Sequence, residues 1–85
     1  MPARSLEIGP AGIQAARNLE ILRTESGLSQ RQLAARCTAL GHPMSNTTVS
    51  RIERVQRRCD MDDLVAIAHA LHVSPLALLQ GRTSS

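Results

Sequence analysis

Residues 44–58, MSNTTVSRIERVQRR, hold four arginines, three of them in the last five positions, and a single acid, Glu53. The Asn-Thr-Thr run is poor helix-forming material. Val49 and Ile52, three apart, nonetheless mark one apolar face of a short helix. The opposite face then carries Asn46, Thr47, Ser50, Arg51 and Arg54, all short or forked hydrogen-bonding groups without an acid among them. Asn can bond adenine through two hydrogen bonds, Thr can offer a methyl to thymine, and Arg can fork onto guanine. Small residues at the start of such a helix let its backbone approach a groove. The following loop, with Gln56, Arg57 and Arg58, lies where phosphates would flank it. The bland alternative is a solvated basic patch, since charge runs are often only solvation. The surrounding chain decides between the two.

Outward from this stretch, helix starts repeat one grammar: a polar or Gly N-cap, preceded by an apolar residue that packs onto the fifth residue after it. Around Gly9, with Pro10 first in the helix, Ile8 faces Ile13; Pro there loses no hydrogen bond. Around Ser29, Leu28 faces Leu33, and Gln32 completes a capping box. Around Ser45, Met44 faces Val49. Around Asp60, Cys59 faces Leu64, and Asp62 and Asp63 suit the first turn. Around Ser74, Val73 faces Leu78, with Pro75 first. The interiors agree: Ala16, Leu19, Leu22 and Ser26 form a stripe ending at Gly27. Leu33, Cys37 and Leu40 continue the pattern up to Gly41, and Leu64, Ile67, Ala68 and Leu71 repeat it. No stretch alternates with period two long enough for a strand. The reading is an all-α fold of five short helices, at about 10–26, 30–40, 46–54, 61–71 and 75–80. Residues 9–80 form the domain, with 1–8 as a flexible N-terminal arm and 81–85 as a flexible tail.

Composition sets limits. The 85 residues suffice for one small domain, and 42% are apolar, enough for a globular core. There is no Phe, Tyr or Trp, so the core is aliphatic, and single-strand or RNA readers that stack bases on aromatic rings are excluded. All ten basic residues are Arg and the net charge is +3. A high-GC codon bias accounts for the absence of Lys, but not for where the arginines sit. Two cysteines are too few for a disulfide framework, and the apolar runs are too short for a membrane span. A cytoplasmic, reduced protein is the expectation.

The segments LRTESGLSQRQLA (22–34), SNTTVSRIER (45–54) and LVAIAHALHVSPLAL (64–78) together resemble the lambda-repressor-like, Xre/Cro-type helix-turn-helix domain. The resemblance covers about residues 13–80. It implies that the second helix crosses the DNA backbone and the third is the recognition helix. Asn46, Thr47, Ser50 and Arg51 fall on the base-facing positions. Gln30 would bond a phosphate and brace the recognition helix. Ser45 would cap it and reach a phosphate, and Arg54, Gln56, Arg57 and Arg58 would grip others. Arg23 and Glu53 match an internal salt bridge, which would make the lone acid of the basic stretch structural. The partner implied is double-stranded DNA, a palindromic operator bound by a homodimer, in a transcriptional regulator, more readily a repressor than an activator.

Three features depart from the pattern. The connection between the second and third helices is longer than in the compact motif by about five residues; CTALGHPM would lengthen both the helix and the turn. Val55 stands where the family has Gly, and would be strained if its φ were positive. Asp60, Asp62 and Asp63 would repel a phosphate near the fourth helix, so no DNA contact is carried there.

Other chemistries find less support. Cys37, His42, Cys59, His69 and His72 match no structural zinc spacing, and core positions account for the cysteines. Whether the cysteines approach each other is a question of geometry. Without a Gly-rich phosphate loop, a nucleophile elbow or a pocketed acid pair, no enzyme is expected and no cofactor. The rival reading is an antitoxin-like or docking module whose main partner is a protein. Leu76, Leu78 and Leu79 cannot readily all be buried by one short helix. At least one is either a singly exposed leucine or part of a dimer seam.

Overall fold

The computed structural model describes residues 8–80. Five α-helices follow one another: α1 (Pro10–Glu25), α2 (Gln30–Ala39), α3 (Asn46–Glu53), α4 (Met61–Ala70) and α5 (Pro75–Leu79). Among the described residues there is no strand. The expected N-termini hold throughout, and each expected C-terminus ran one residue long because it included the C-cap. The arm and tail expected at 1–8 and 81–85 lie outside the described residues, apart from Ile8.

Local chemistry sets the starts. Ser29 accepts from the Gln32 N–H while Gln32 Oε1 accepts from the Ser29 N–H. The Asp60 carboxylate accepts from the Asp63 N–H at 2.8 Å, and Ser45 Oγ accepts from the Thr48 N–H at 3.1 Å. α1 and α5 begin at Gly9 and Ser74 without a side-chain cap, each with Pro first.

The ends of α1 to α4 share one geometry. The first residue past the cap is left-handed, and the next N–H returns to a carbonyl one turn back, in the Schellman arrangement. These bonds are Leu28 N–H to Arg23 O, His42 N–H to Cys37 O, Gln56 N–H to Arg51 O and Val73 N–H to Ala68 O. The left-handed residue is Gly27 after α1 and Gly41 after α2. It is Val55 (φ +60°) after α3 and His72 (φ +60°) after α4. The chain therefore keeps the family's turn after α3 with a β-branched residue in it, at a local cost of about 1–2 kcal/mol.

The core gathers Leu19, Leu33, Cys37, Val49, Ile52, Leu64, Ile67, Ala68, Leu71 and Leu78, all nearly fully buried. Leu28, Met44, Cys59 and Val73, the residues ahead of four N-caps, pack on its margin. α1 packs on α3 and α5, α2 on α3 and α4, and α4 on α5.

Two expectations need correction. Leu40 does not continue the core stripe: it is the C-cap of α2 and is 56% exposed, because the helix stops there and nothing covers its end. Leu78 is not available for a dimer seam: it is 1% exposed and fills the core between α1 and α4, whereas Leu76 and Leu79 project outward.

Candidate nucleic-acid interface

α3 turns Val49 and Ile52 into the core and leaves Asn46, Thr47 and Arg51 exposed, with Ser50 half-buried between them. The structure thus gathers the four expected base-facing residues on the outward side of one two-turn helix. Arg54 is the C-cap of α3, and Gln56, Arg57 and Arg58 follow it, all exposed. Ser45 stands at the other end as N-cap, its hydroxyl held by Thr48.

Behind this surface, Glu53 anchors α3 to two other helices. Arg23 Nε and Nη2 donate to its two carboxylate oxygens at 2.6 and 3.1 Å, and Arg23 Nη1 donates to the Leu28 carbonyl at 2.7 Å. Gln30 Nε2 donates to Glu53 Oε1 at 2.9 Å. The hydrogen bond that Arg23 donates to Glu53 raises the pKa of its guanidinium above the ordinary value, against the opposing effect of burial. The side chains of Arg23 and Glu53 are only 11% and 4% exposed. The carboxylate therefore serves the scaffold. Gln30 braces α3 through Glu53, and its second amide hydrogen remains for another acceptor.

The longer α2–α3 connection, residues 40–45, is pinned along its length. Thr38 Oγ1 accepts from the Met44 N–H at 3.1 Å and lies 3.3 Å from the Met44 carbonyl. His42 Nε2 lies 2.7 Å from Asp63 Oδ1. Asp63, 3% exposed, also closes the capping box of α4 and has Arg57 Nη2 at 3.6 Å. Of the three acids expected to repel a phosphate near α4, Asp60 and Asp62 are exposed, while Asp63 is buried and partnered.

Cys37 and Cys59 are free thiols. Burial and then the Asp63 charge raise the Cys37 thiol. Burial foremost, with Asp63 and Asp60 adding to it and Arg57 opposing, pushes the Cys59 thiol up to about 12. Among the described residues no group of three or more His, Cys, Asp or Glu side chains could hold a metal ion.

Sequence reasoning passed over Asn18 and the His42–Asp63 pair. Asn18 is fully buried on the inward face of α1. Its Nδ2 lies 2.9 Å from Leu78 O, 2.6 Å from Gln80 O and 3.4 Å from Ala77 O, and its Oδ1 accepts from Gln14 Nε2 at 3.1 Å. The signal for Asn18 was present: a polar residue on an apolar stripe beside Ala15 and Leu19. For His42 no local signal exists, because its partner is 21 residues away.

Residues 14–80 match the family model of a helix-turn-helix domain. No curated protein matches the chain. Among solved structures it is similar to the restriction-modification controller protein C.AhdI from Aeromonas hydrophila. The two are 30% identical over 79% of this chain and 94% of that one, with a TM-score of 0.70. It is also similar to a hypothetical transcription factor, NHTF, from Neisseria. That pair is 27% identical over 95% and 87% of the two chains, with a TM-score of 0.75. The clp gene regulator ClgR from Corynebacterium glutamicum shares the fold at 22% identity over 84% and 70% of the chains, with a TM-score of 0.73. With α2 and α3 braced through Glu53 and the outward side of α3 free of acids, the chain belongs to the helix-turn-helix domain family in its lambda-repressor-like, Xre/Cro form.

Proposed function

We propose that the protein is a sequence-specific transcriptional regulator that inserts α3 into the major groove of double-stranded DNA. The observation that carries this reading is the division of α3: apolar side chains locked in the core, and Asn46, Thr47, Ser50 and Arg51 together on the outward side. In this reading those four read bases. Gln30, Ser45, Arg54, Gln56, Arg57 and Arg58 hold phosphates on either flank, fixing register without carrying sequence information. The protein acts by occupancy rather than by catalysis, in the cytoplasm, and blocking a promoter is the simplest outcome. The names of the similar proteins, a controller, a transcription factor and a gene regulator, support regulation.

A second observation supports a homodimer on a palindromic operator. Met61 and Val65 on α4 and Leu76 and Leu79 on α5 are 76%, 40%, 61% and 43% exposed. These large apolar side chains on adjoining helices suit a self-complementary seam, which would set half-sites about 34 Å apart. The same surface also suits a docking module for another protein.

Selection of duplexes from a random-sequence pool tests the reading, since it reports binding, symmetry and half-site spacing at once. On a selected duplex, Arg51→Ala should cost about 1–3 kcal/mol and relax one base pair. Arg57→Ala should weaken binding to all DNA and flatten the salt dependence. An unchanged gel shift with Arg51→Ala would sink the recognition-helix assignment. Recovery of one stoichiometric protein partner, with no DNA binding at low salt, would favour the docking module.

A further inference from the structure

Asp63 ties together three segments that meet at α3. One carboxylate oxygen, Oδ1, receives His42 Nε2 at 2.7 Å from the connection that precedes α3. The other, Oδ2, faces Arg57 Nη2 at 3.6 Å from the loop that follows it. Asp63 itself belongs to the first turn of α4, where its N–H is already held by Asp60 and its own carboxylate reaches the Asp60 N–H. The capping box is complete without His42, so capping does not explain the histidine. The connection does. A longer turn leaves the start of the recognition helix more freedom than a compact one. The His42–Asp63 bond removes that freedom by fastening the middle of the turn to α4.

We propose that His42 is a positioning residue for DNA binding: through Asp63 it fixes the N-terminal end of α3 against the same carboxylate that faces Arg57 at the other end. This rests on the DNA-binding reading above. It assigns the longer connection a task, setting the angle at which Asn46 and Thr47 enter the groove.

The test compares a duplex selected by the wild-type protein from a random pool with a scrambled duplex of equal length, at one pH and low salt. His42→Ala should lose about tenfold on the selected duplex and at most about twofold on the scrambled one. His42→Gln, whose amide nitrogen reaches where Nε2 sits, should restore most of the affinity. Equal losses on both duplexes, no loss at all, or a loss in His42→Gln as large as in His42→Ala would overturn the proposal. If His42→Ala fails to fold by circular dichroism, His42→Leu, which keeps side-chain bulk without a donor, takes its place in the same comparison. Should the wild-type protein bind neither duplex at low salt, the DNA reading itself fails; selective binding with an unchanged His42→Ala profile overturns only the positioning role.

Discussion

Glu53 and Asp63 are both carboxylates with side chains only 4% exposed, and each ties α3 or its flanking loops to the scaffold. Glu53 is gripped by a guanidinium through two bonds and by an amide, all from α1 and α2. Asp63 is held by an imidazole that is 31% exposed and faces an arginine that is 47% exposed. The first anchor lies deep in the scaffold. The second draws its partners from the two loops that flank α3. One fixes α3 to α1 and α2; the other connects α4 to the segments on either side of α3.

The contrast can be broken most directly at the first anchor. Arg23→Ala leaves the Glu53 carboxylate buried with only Gln30 to meet it, and should cost about 3–5 kcal/mol, read by urea or thermal unfolding. Asp63→Ala should cost less, about 2 kcal/mol, because it deletes one side of a capping box and frees two side chains that can reach water. If Asp63→Ala proves the more damaging, the ranking of the two anchors is wrong. Val55→Gly, just beyond Glu53, should stabilise by about 1 kcal/mol by relieving a β-branched residue at φ +60°. A loss of stability there would mean that packing of the valine outweighs its strain.

The smallest effect lies at the thiols beside Asp63, where burial acts first and the Asp63 charge adds to it. The Cys59 thiol is pushed from its ordinary 9.0 up to about 12 in the folded protein. As pH rises through that interval, the unfolded chain releases the proton first, so stability should fall. Cys59→Ala should reduce that fall, and a melting temperature indifferent to pH above 9 would contradict it. Alkylation of Cys59 in the native state at neutral pH should likewise be slow, because the thiolate is scarce.

What could be read from the chain follows the range of the interactions. Helix starts depend on residues within one turn of each other, and Ser29–Gln32 and Ser45–Thr48 formed as their spacing implied. The Val55 strain was readable only through the family resemblance, because Val55 stands where the family has Gly. Leu40 was misassigned because periodicity says which face a residue takes but not whether anything covers that face beyond the last turn. The His42–Asp63 and Asn18 interactions span 21 and about 60 residues. No local pattern encodes a pair that only tertiary packing brings together. Arg23 and Glu53, 30 residues apart, were equally distant, and only the family resemblance linked them. The grouping of Asn46, Thr47, Ser50 and Arg51 on one side of α3 was legible because the helix is short and its two core residues orient the rest.

Asn18 holds α5 by backbone oxygens rather than by side chains. A helix held by its carbonyls is gripped by atoms common to every amino acid. Beyond Leu78, the composition of α5 is therefore released from the duty of attachment. Substitutions at Leu76 and Leu79 could replace one partner with another while the helix stays docked, so that lineages of this fold could exchange the company they keep without refounding the domain.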